Sequence, residues 1–291
     1  MDQTSCNCFF VSDLHGNRRS YRVLFDTIEK EIPRAVFLGG DLLPSALHQM
    51  APADAIDEHF LSDFLARGFS TLSRRMGDRY PRVFMILGND DGRFEEAAML
   101  DLASQGIWEY VHNRCAEFDS FKVWGYSYIP PSPFQLKDWE RYDVSRYVDP
   151  GSTHPHEGTL SIPRSRHDLY FRTIQEDLEE LVRDRWSRRS IFLFHAPPYQ
   201  TLLDRAALDG KMIDHVPLDV HIGSIAIRRF IEKFQPRITL HGHVHESSAI
   251  TGSWKDQIGE TRLFSAAYQG EELSLVQFDP LTPGQAVRRL L

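Results

Sequence analysis

Asn7-Cys8-Phe9-Phe10-Val11-Ser12-Asp13-Leu14-His15 is an apolar run that ends on an acid and an imidazole. A short run with no polar face reads as a strand buried on both sides, the kind found in the parallel sheets of α/β domains. The pattern returns four times. Arg34 to Leu38 precedes Gly40-Asp41, Arg82 to Leu87 precedes Gly88-Asn89-Asp90-Asp91, Ser190 to Phe194 precedes His195-Ala196-Pro197-Pro198, and Arg237 to Leu240 precedes Gly242-His243-Val244-His245. Amphipathic helical patterns come before several of these runs, which makes the repeating unit a strand and a helix. In such sheets the loops at the carboxyl ends of the strands converge. Side chains scattered from Asp13 to His245 can therefore meet at one place.

Together the five motifs supply carboxylate, amide and imidazole donors. That mixture suits Mn, Fe, Zn or Ni better than the all-oxygen preference of Mg or Ca. Taken singly, Asp13, Asp41 and Asn89 read as helix caps after their strands, and a lone histidine reads as structural. Seven such groups gathered in one buried place are hard to maintain without a cation to offset their desolvation.

Composition agrees with a sizeable globular core. Of 291 residues, 42% are apolar and 25% charged, which places the chain among ordinary globular domains. The net charge of -8 and the isoelectric point near 5.9 provide no overall basic field, so nucleic acid is not the expected partner and a small substrate is. The first residues carry an early acid and no basic region of the kind that begins a signal sequence. No segment reaches the length of a membrane span. Cys6, Cys8 and Cys115 cannot all pair and form no zinc or redox spacing, which points to a reduced cytoplasm; Cys6 and Cys8 read as core residues on one face of the first strand.

One domain over residues 1–291 is expected, with two additions. Residues 44–78 carry helical periodicity through Ile56, Phe60, Phe64 and Leu65. Residues 128–166 are dense in Pro, Tyr, Trp and charge, from Tyr128-Ile129-Pro130-Pro131-Ser132-Pro133-Phe134 through Lys137-Asp138-Trp139-Glu140-Arg141 to His154 and His156. A loop of that length in a compact domain is usually functional, and this one reads as a cap over the strand ends. The runs Thr261 to Ala266 and Glu272 to Phe278 read as antiparallel strands finishing a second sheet.

The order Asp-x-His, Gly-Asp, Gly-Asn-x-Asp, His and Gly-His-x-His resembles that of the calcineurin-like metallophosphoesterases. The resemblance implies an α/β fold, a four-layer αββα sandwich of two mixed β-sheets flanked by helices. It implies two divalent or mixed-valence transition metal ions, the first held by Asp13, His15 and His245, the second by Asn89, His195 and His243, with Asp41 bridging. The implied activity is hydrolysis of phosphomonoesters or phosphodiesters of small molecules through a metal-bridging hydroxide. Two close cations activate water and neutralise charge developing on the phosphoryl oxygens. No protein nucleophile is needed, and no Gly-x-Ser-x-Gly is present. Nuclease activity, or a non-catalytic scaffold, are the other functions the family resemblance admits.

Two departures from the family pattern bear on activity. Many members have a histidine where this chain has Asp90, followed by an orienting acid where it has Asp91. Asp41, Asn89, Asp90 and Asp91 are thus the catalytic candidates. His154, His156 and His241 are the candidate replacements for the missing leaving-group acid. The stretch after Asp41 reads Leu42-Leu43-Pro44-Ser45 and lacks the phosphate-binding arginine of the protein phosphatases. Asn17, Arg18, Lys137 and Arg141 are therefore the expected substrate contacts, arginine being suited to bidentate phosphate recognition.

Overall fold

The computed structural model describes residues 6–50 and 59–291. In chain order the strands are β1 (Cys8–Val11), β2 (Ala35–Gly39), β3 (Arg82–Ile86), β4 (Glu109–Tyr110), β5 (Cys115–Phe118), β6 (Phe121–Tyr126), β7 (Ser190–Phe194), β8 (Met212–Ile213), β9 (Val216–Pro217), β10 (Ile238–His241), β11 (Lys255–Ile258), β12 (Thr261–Ser265), β13 (Ser274–Phe278) and β14 (Val287–Leu290). The helices are α1 (Arg18–Glu31), α2 (Ala46–Met50), α3 (Arg67–Met76), α4 (Glu96–Ser104), α5 (Arg166–Tyr170), α6 (Ile174–Val182), α7 (Ile225–Phe234) and α8 (Ser247–Thr251).

Two six-stranded sheets result, ordered β14-β13-β1-β2-β3-β4 and β11-β12-β10-β7-β6-β5. β1, β2, β3 and β4 run parallel, as do β6, β7, β10 and β12, while β13, β14, β11 and β5 pair antiparallel at the margins. The mixed two-sheet sandwich flanked by helices is the expected fold class.

Alternation along each strand explains why the runs are apolar throughout. Cys8 and Phe10 face the core between the sheets with Phe37, Phe84, Ile191, Leu193 and Leu240, whereas Phe9 and Val11 face the outer layer with Tyr21, Leu24 and Ile28 of α1. Phe37 of one sheet stands edge-on to Phe118 of the other at 6.2 Å, and Phe264 meets Phe278 across the same gap at 5.9 Å. Burying each such ring contributes about 1.5–3 kcal/mol. On the outer faces α6 and α7 cover the second sheet through Leu178, Ile227 and Phe230, against Phe192 and Phe194.

The carboxyl-terminal strands differ from expectation. β12 is parallel to β10 in the second sheet, while β13 is antiparallel to β1 in the first, so the two runs close different sheets. In the segment 44–78, a π-helical turn over Phe60–Ala66 leads into α3 and buries Leu65, while Phe64 and Phe60 pack on Tyr21. Ile56 lies outside the described residues. Cys8 is buried as expected; Cys6 is half-buried just before the strand, its Sγ 3.9 Å from that of Cys8. Among the described residues no helix is long and apolar enough to cross a membrane.

Candidate metal centre

Five strands deliver the site from their carboxyl ends. Asp13 and His15 follow β1, Asp41 follows β2, and Asn89 to Asp91 follow β3; His195 follows β7 and His243 and His245 follow β10. Backbone bonds knit the loops together: Asp13 N–H to Gly40 O and His15 N–H to Asp41 O, both 2.9 Å, and Gly242 N–H to His195 O, 2.9 Å. The turns are tight enough that Asp13, His15, Asp41 and His243 have φ of 57°, 41°, 51° and 75°. Non-glycine residues rarely occupy this left-handed region, and when they do they cluster at functional sites. Gly40 has φ of 94°, and a Cβ there would lie 2.6 Å from His195 Nδ1; at Gly88 a Cβ would lie 2.4 Å from Asp41 N. Both glycines are needed for the close approach.

Two donor groups converge. In the first, His15 Nε2 lies 3.3 Å from His245 Nε2, and His245 Nε2 lies 3.4 Å from Asp13 Oδ1. In the second, His195 Nε2 lies 2.9 Å from Asn89 Oδ1 and 3.4 Å from Asp41 Oδ2. Asp41 Oδ2 is also 3.8 Å from His15 Nε2, which places this carboxylate between the groups. The His243 ring stands 5.3 Å from that of His195. The Asp13 side chain, Asp41, Asn89 and His195 are buried, while His15 and His245 are about a third exposed, which leaves the site open on one side.

The donor chemistry fits divalent cations. His195 Nδ1 faces Gly39 O at 2.9 Å and must donate to it, so a neutral ring turns the Nε2 lone pair toward the oxygens of Asn89 and Asp41. Lone pairs so aimed at one another need a positive charge between them. The spacings near 3.3 Å are also those of ligands around one ion with bonds of about 2.0–2.1 Å. Without an ion, protons take that part. Burial opposes charging His195 and His15, yet Asp41 beside the first and Asp90 beside the second outweigh it and raise both to about 9. His243 is pushed the other way, to about 3, by burial and by its neighbour His195. Burial would raise Asp13, but hydrogen bonding to His245 and its charge hold it well below the usual carboxylate range.

Asp90 and Asp91 have different positions from those expected of acids acting on substrate. Asp90 Oδ2 lies 3.3 Å from His15 Nδ1, its Oδ1 accepts from Ser45 Oγ at 2.8 Å, and its N–H donates to Asp41 Oδ1 at 2.7 Å. It holds a ring by the nitrogen that faces away from the site. Asp91 is fully buried and accepts from the N–H groups of Leu42, Leu43 and Gly88 at 3.0, 2.7 and 2.8 Å. It ties the loop after β2 to the loop after β3, so it is a loop staple and orients no catalytic group. Burial first, then Asp41, raises it to about 7 against the pull of those three N–H groups.

The expected substrate contacts each have partners within the chain. Asn17 caps α1, accepting from Arg19 and Ser20 N–H at 3.0 and 3.2 Å. Arg18 lays its guanidinium over Phe64 at 4.7 Å. Lys137 is wholly buried, with Nζ on Glu140 Oε2 and on Ser132 O, both 2.7 Å. Arg141 is buried between Asp168 and Asp177. Long cations in a cap rich in acids find partners inside it. The candidate proton donors are also engaged: His154 Nδ1 is 2.9 Å from Tyr142 Oη, His156 stacks on Tyr170 at 4.2 Å, and His241 is buried between Ala196 O and Thr239 Oγ1, with burial lowering it to about 4.

The cap does reach the site. Trp139 Nε1 donates to Asp91 O at 2.8 Å, and Asp138 Oδ2 accepts from Arg93 N–H at 2.8 Å. The half-exposed Phe134 ring meets His243 edge-on at 6.2 Å. Ser45 and Ser12, whose Oγ bonds Asp13 Oδ2, had no signal beyond their nearness in sequence to the motifs, and Phe134 had only its place in the cap segment.

Comparison with known proteins agrees with this fold. The uncharacterized protein MJ1162 of Methanocaldococcus jannaschii is 38% identical over 92 residues, 31% of this chain, and the match spans about a third, 36%, of that relative's length. TT1561 of Thermus thermophilus superposes with a TM-score of 0.56 at 15% identity over 99% of both chains, and another solved chain does so with 0.60 at 15% over 99% of both; these likenesses concern the fold. Residues 8–247 match the family model of the calcineurin-like phosphoesterases, and the chain belongs to that family.

Proposed function

We propose that this chain hydrolyses phosphate mono- or diesters of small molecules at a two-metal centre. Asp13, His15 and His245 serve one cation, Asn89, His195 and His243 the other, and Asp41 both. The observation that carries the reading is the pair of donor groups on either side of Asp41, each with imidazole nitrogen and acid or amide oxygen within 3.4 Å. Two divalent cations bound there supply water made nucleophilic near neutral pH and neutralise charge on the phosphoryl oxygens. The chain's own part is orientation. Gly39 O fixes the tautomer of His195 and Asp90 holds His15, as outer partners of metal-binding imidazoles do.

With Asp90 committed to His15 and Ser45, and His154, His156 and His241 engaged elsewhere, none of these candidates among the described residues is poised to protonate a poor leaving group. Substrates that leave as stable anions, such as aryl phosphates or phosphoanhydrides, suit the site best. The test is to strip the chain with chelator, restore Mn, Fe, Zn or Ni singly, and assay aryl phosphate, bis-aryl phosphodiester, cyclic nucleotide and short DNA side by side. Turnover of an aryl ester that returns with two equivalents of metal supports the proposal. Protein that holds no metal and turns over none of them with added Mn points to a scaffold, and turnover of DNA alone points to a nuclease.

A further inference from the structure

The cap contains a second polar cavity. It has a volume of about 670 Å³ and is lined by Arg93, Arg141, Arg164 and Arg172, with Tyr128 and His167. None of the seven residues proposed as metal ligands borders it. Its wall connects to the metal centre through aromatic rings: Trp139 bonds Asp91 O and packs on Tyr128 at 5.6 Å.

Three guanidiniums crowd Tyr128, with Arg141, Arg164 and Arg93 at 4.1, 5.2 and 5.9 Å from its ring centre. Acids answer them, but by sharing. Asp168 serves both Arg141 and Arg164, Asp177 serves both Arg141 and Arg172, and Glu96 and Glu180 take Arg93 and Arg172. Of these carboxylates, Asp168 and Glu180 line the cavity, two against four arginines. Among the described residues no acceptor meets Arg141 Nε or Arg164 Nη2. Buried polar atoms are nearly always satisfied, so two such N–H groups in one wall stand out as donors that the neighbouring carboxylates leave unused. His112 stands behind the arginines, and burial first, then Arg93 and Arg141, push its pKa well below the ordinary value.

We propose that this cavity binds a small phosphate dianion, either inorganic phosphate or the phosphate of a monoester, at a place separate from the metal centre. Guanidinium forks match tetrahedral oxyanions in charge and geometry. Arg93 and Arg172, about 21% and 25% exposed, are the arginines that meet the ligand first. Arg93 lies two residues beyond Asp91, so an anion held here bears on the turn that carries Asn89.

Isothermal titration of the metal-loaded chain with inorganic phosphate at low ionic strength tests this, repeated after chelation. Two binding events are expected with metal and one without. The chelator-resistant event weakens about tenfold in Arg172→Gln and in Arg93→Gln, fades with salt, and leaves the metal-dependent event in place. Methylphosphonate, whose C–P bond resists hydrolysis, competes for the resistant site if monoesters bind there and does not if the site takes inorganic phosphate alone. His167→Ala, at an exposed position on the rim, serves as a second probe should either arginine variant misfold. A single event abolished by chelator, or a resistant event unchanged in variants whose circular dichroism matches the parent, would overturn the proposal.

Discussion

Asp90 Oδ2 sits 3.3 Å from Nδ1 of His15, at the position where many family members carry a proton-donating histidine. The same carboxylate accepts from Ser45 and its backbone N–H holds Asp41, so one residue braces the imidazole of the first donor group and the carboxylate between the groups. Its work is orientation, and removal is expected to appear in metal affinity before it appears in chemistry. Outer partners of metal-binding histidines typically contribute a factor of about 10 to 100 in affinity or activity. Asp90→Ala should weaken metal binding by about that factor while kcat at saturating metal falls less than about tenfold, under about 1.4 kcal/mol of barrier. Asp90→Asn, which keeps an acceptor on His15, should recover most of the affinity. A kcat loss of many hundredfold with both metals retained would assign Asp90 to proton transfer.

Lys137 and Glu140 form a fully buried ion pair. Breaking such a pair by removing one partner leaves an uncompensated charge and costs about 3–5 kcal/mol, whereas replacing both with apolar groups is far milder. Lys137→Met is therefore expected to lower the thermal midpoint sharply, and Lys137→Met with Glu140→Leu to restore much of it. KM for an aryl phosphate in the folded fraction should change little. A raised KM with an unchanged midpoint would return Lys137 to the substrate.

The parts of the fold that were legible in sequence are those where burial leaves a pattern. β1, β2, β3, β7 and β10 are covered on both faces and so are largely apolar, and the polar residue that follows each run marks the site. β6 carries Lys122 and Gly125 in its run, and β5 carries Glu117 at the sheet margin, so neither forms an apolar block. Strand direction was equally hidden: β12 and β13 look alike in sequence, and only the packing decides which sheet each joins. Arg141 read as a phosphate contact because its partners, Asp168 and Asp177, are 27 and 36 residues away. Lys137 was closer to being readable, since Glu140 stands three residues on.

His112 links the cap to pH. It is buried, with Nδ1 accepting from Ser127 N–H at 3.0 Å, and burial followed by the nearby arginines depresses its pKa in the folded chain. The unfolded chain takes up a proton at about 6.5. Below that pH the unfolded state binds more protons than the native one, so stability present above about 6.5 is lost as pH falls. The slope from one such group is about 1.4 kcal/mol per pH unit. Denaturant titrations of the metal-saturated chain from neutral to acid pH should show this decline, and His112→Gln should flatten it. Parallel curves for the two proteins would mean that His112 charges freely in the native state.

Phe134 offers the cap's clearest claim on specificity. Its ring is 50% exposed and lies edge-on to His243 at 6.2 Å. Its position is held: Phe134 N–H donates to Ser132 Oγ at 3.1 Å, and Ser132 N–H donates to Glu140 at 3.1 Å, so the buried pair with Lys137 anchors the loop beneath it. An exposed ring fixed beside the candidate metal centre costs solvation unless a substrate covers it, and an aromatic leaving group would do so. Ring pairs of this kind contribute about 0.5–1.5 kcal/mol beyond area burial. Phe134→Ala should therefore raise KM for an aryl phosphate by roughly two- to tenfold, with alkyl phosphates nearly unaffected and Phe134→Tyr close to the parent. Equal losses for aryl and alkyl esters would instead make Phe134 a prop for His243, acting on the centre whatever the substrate.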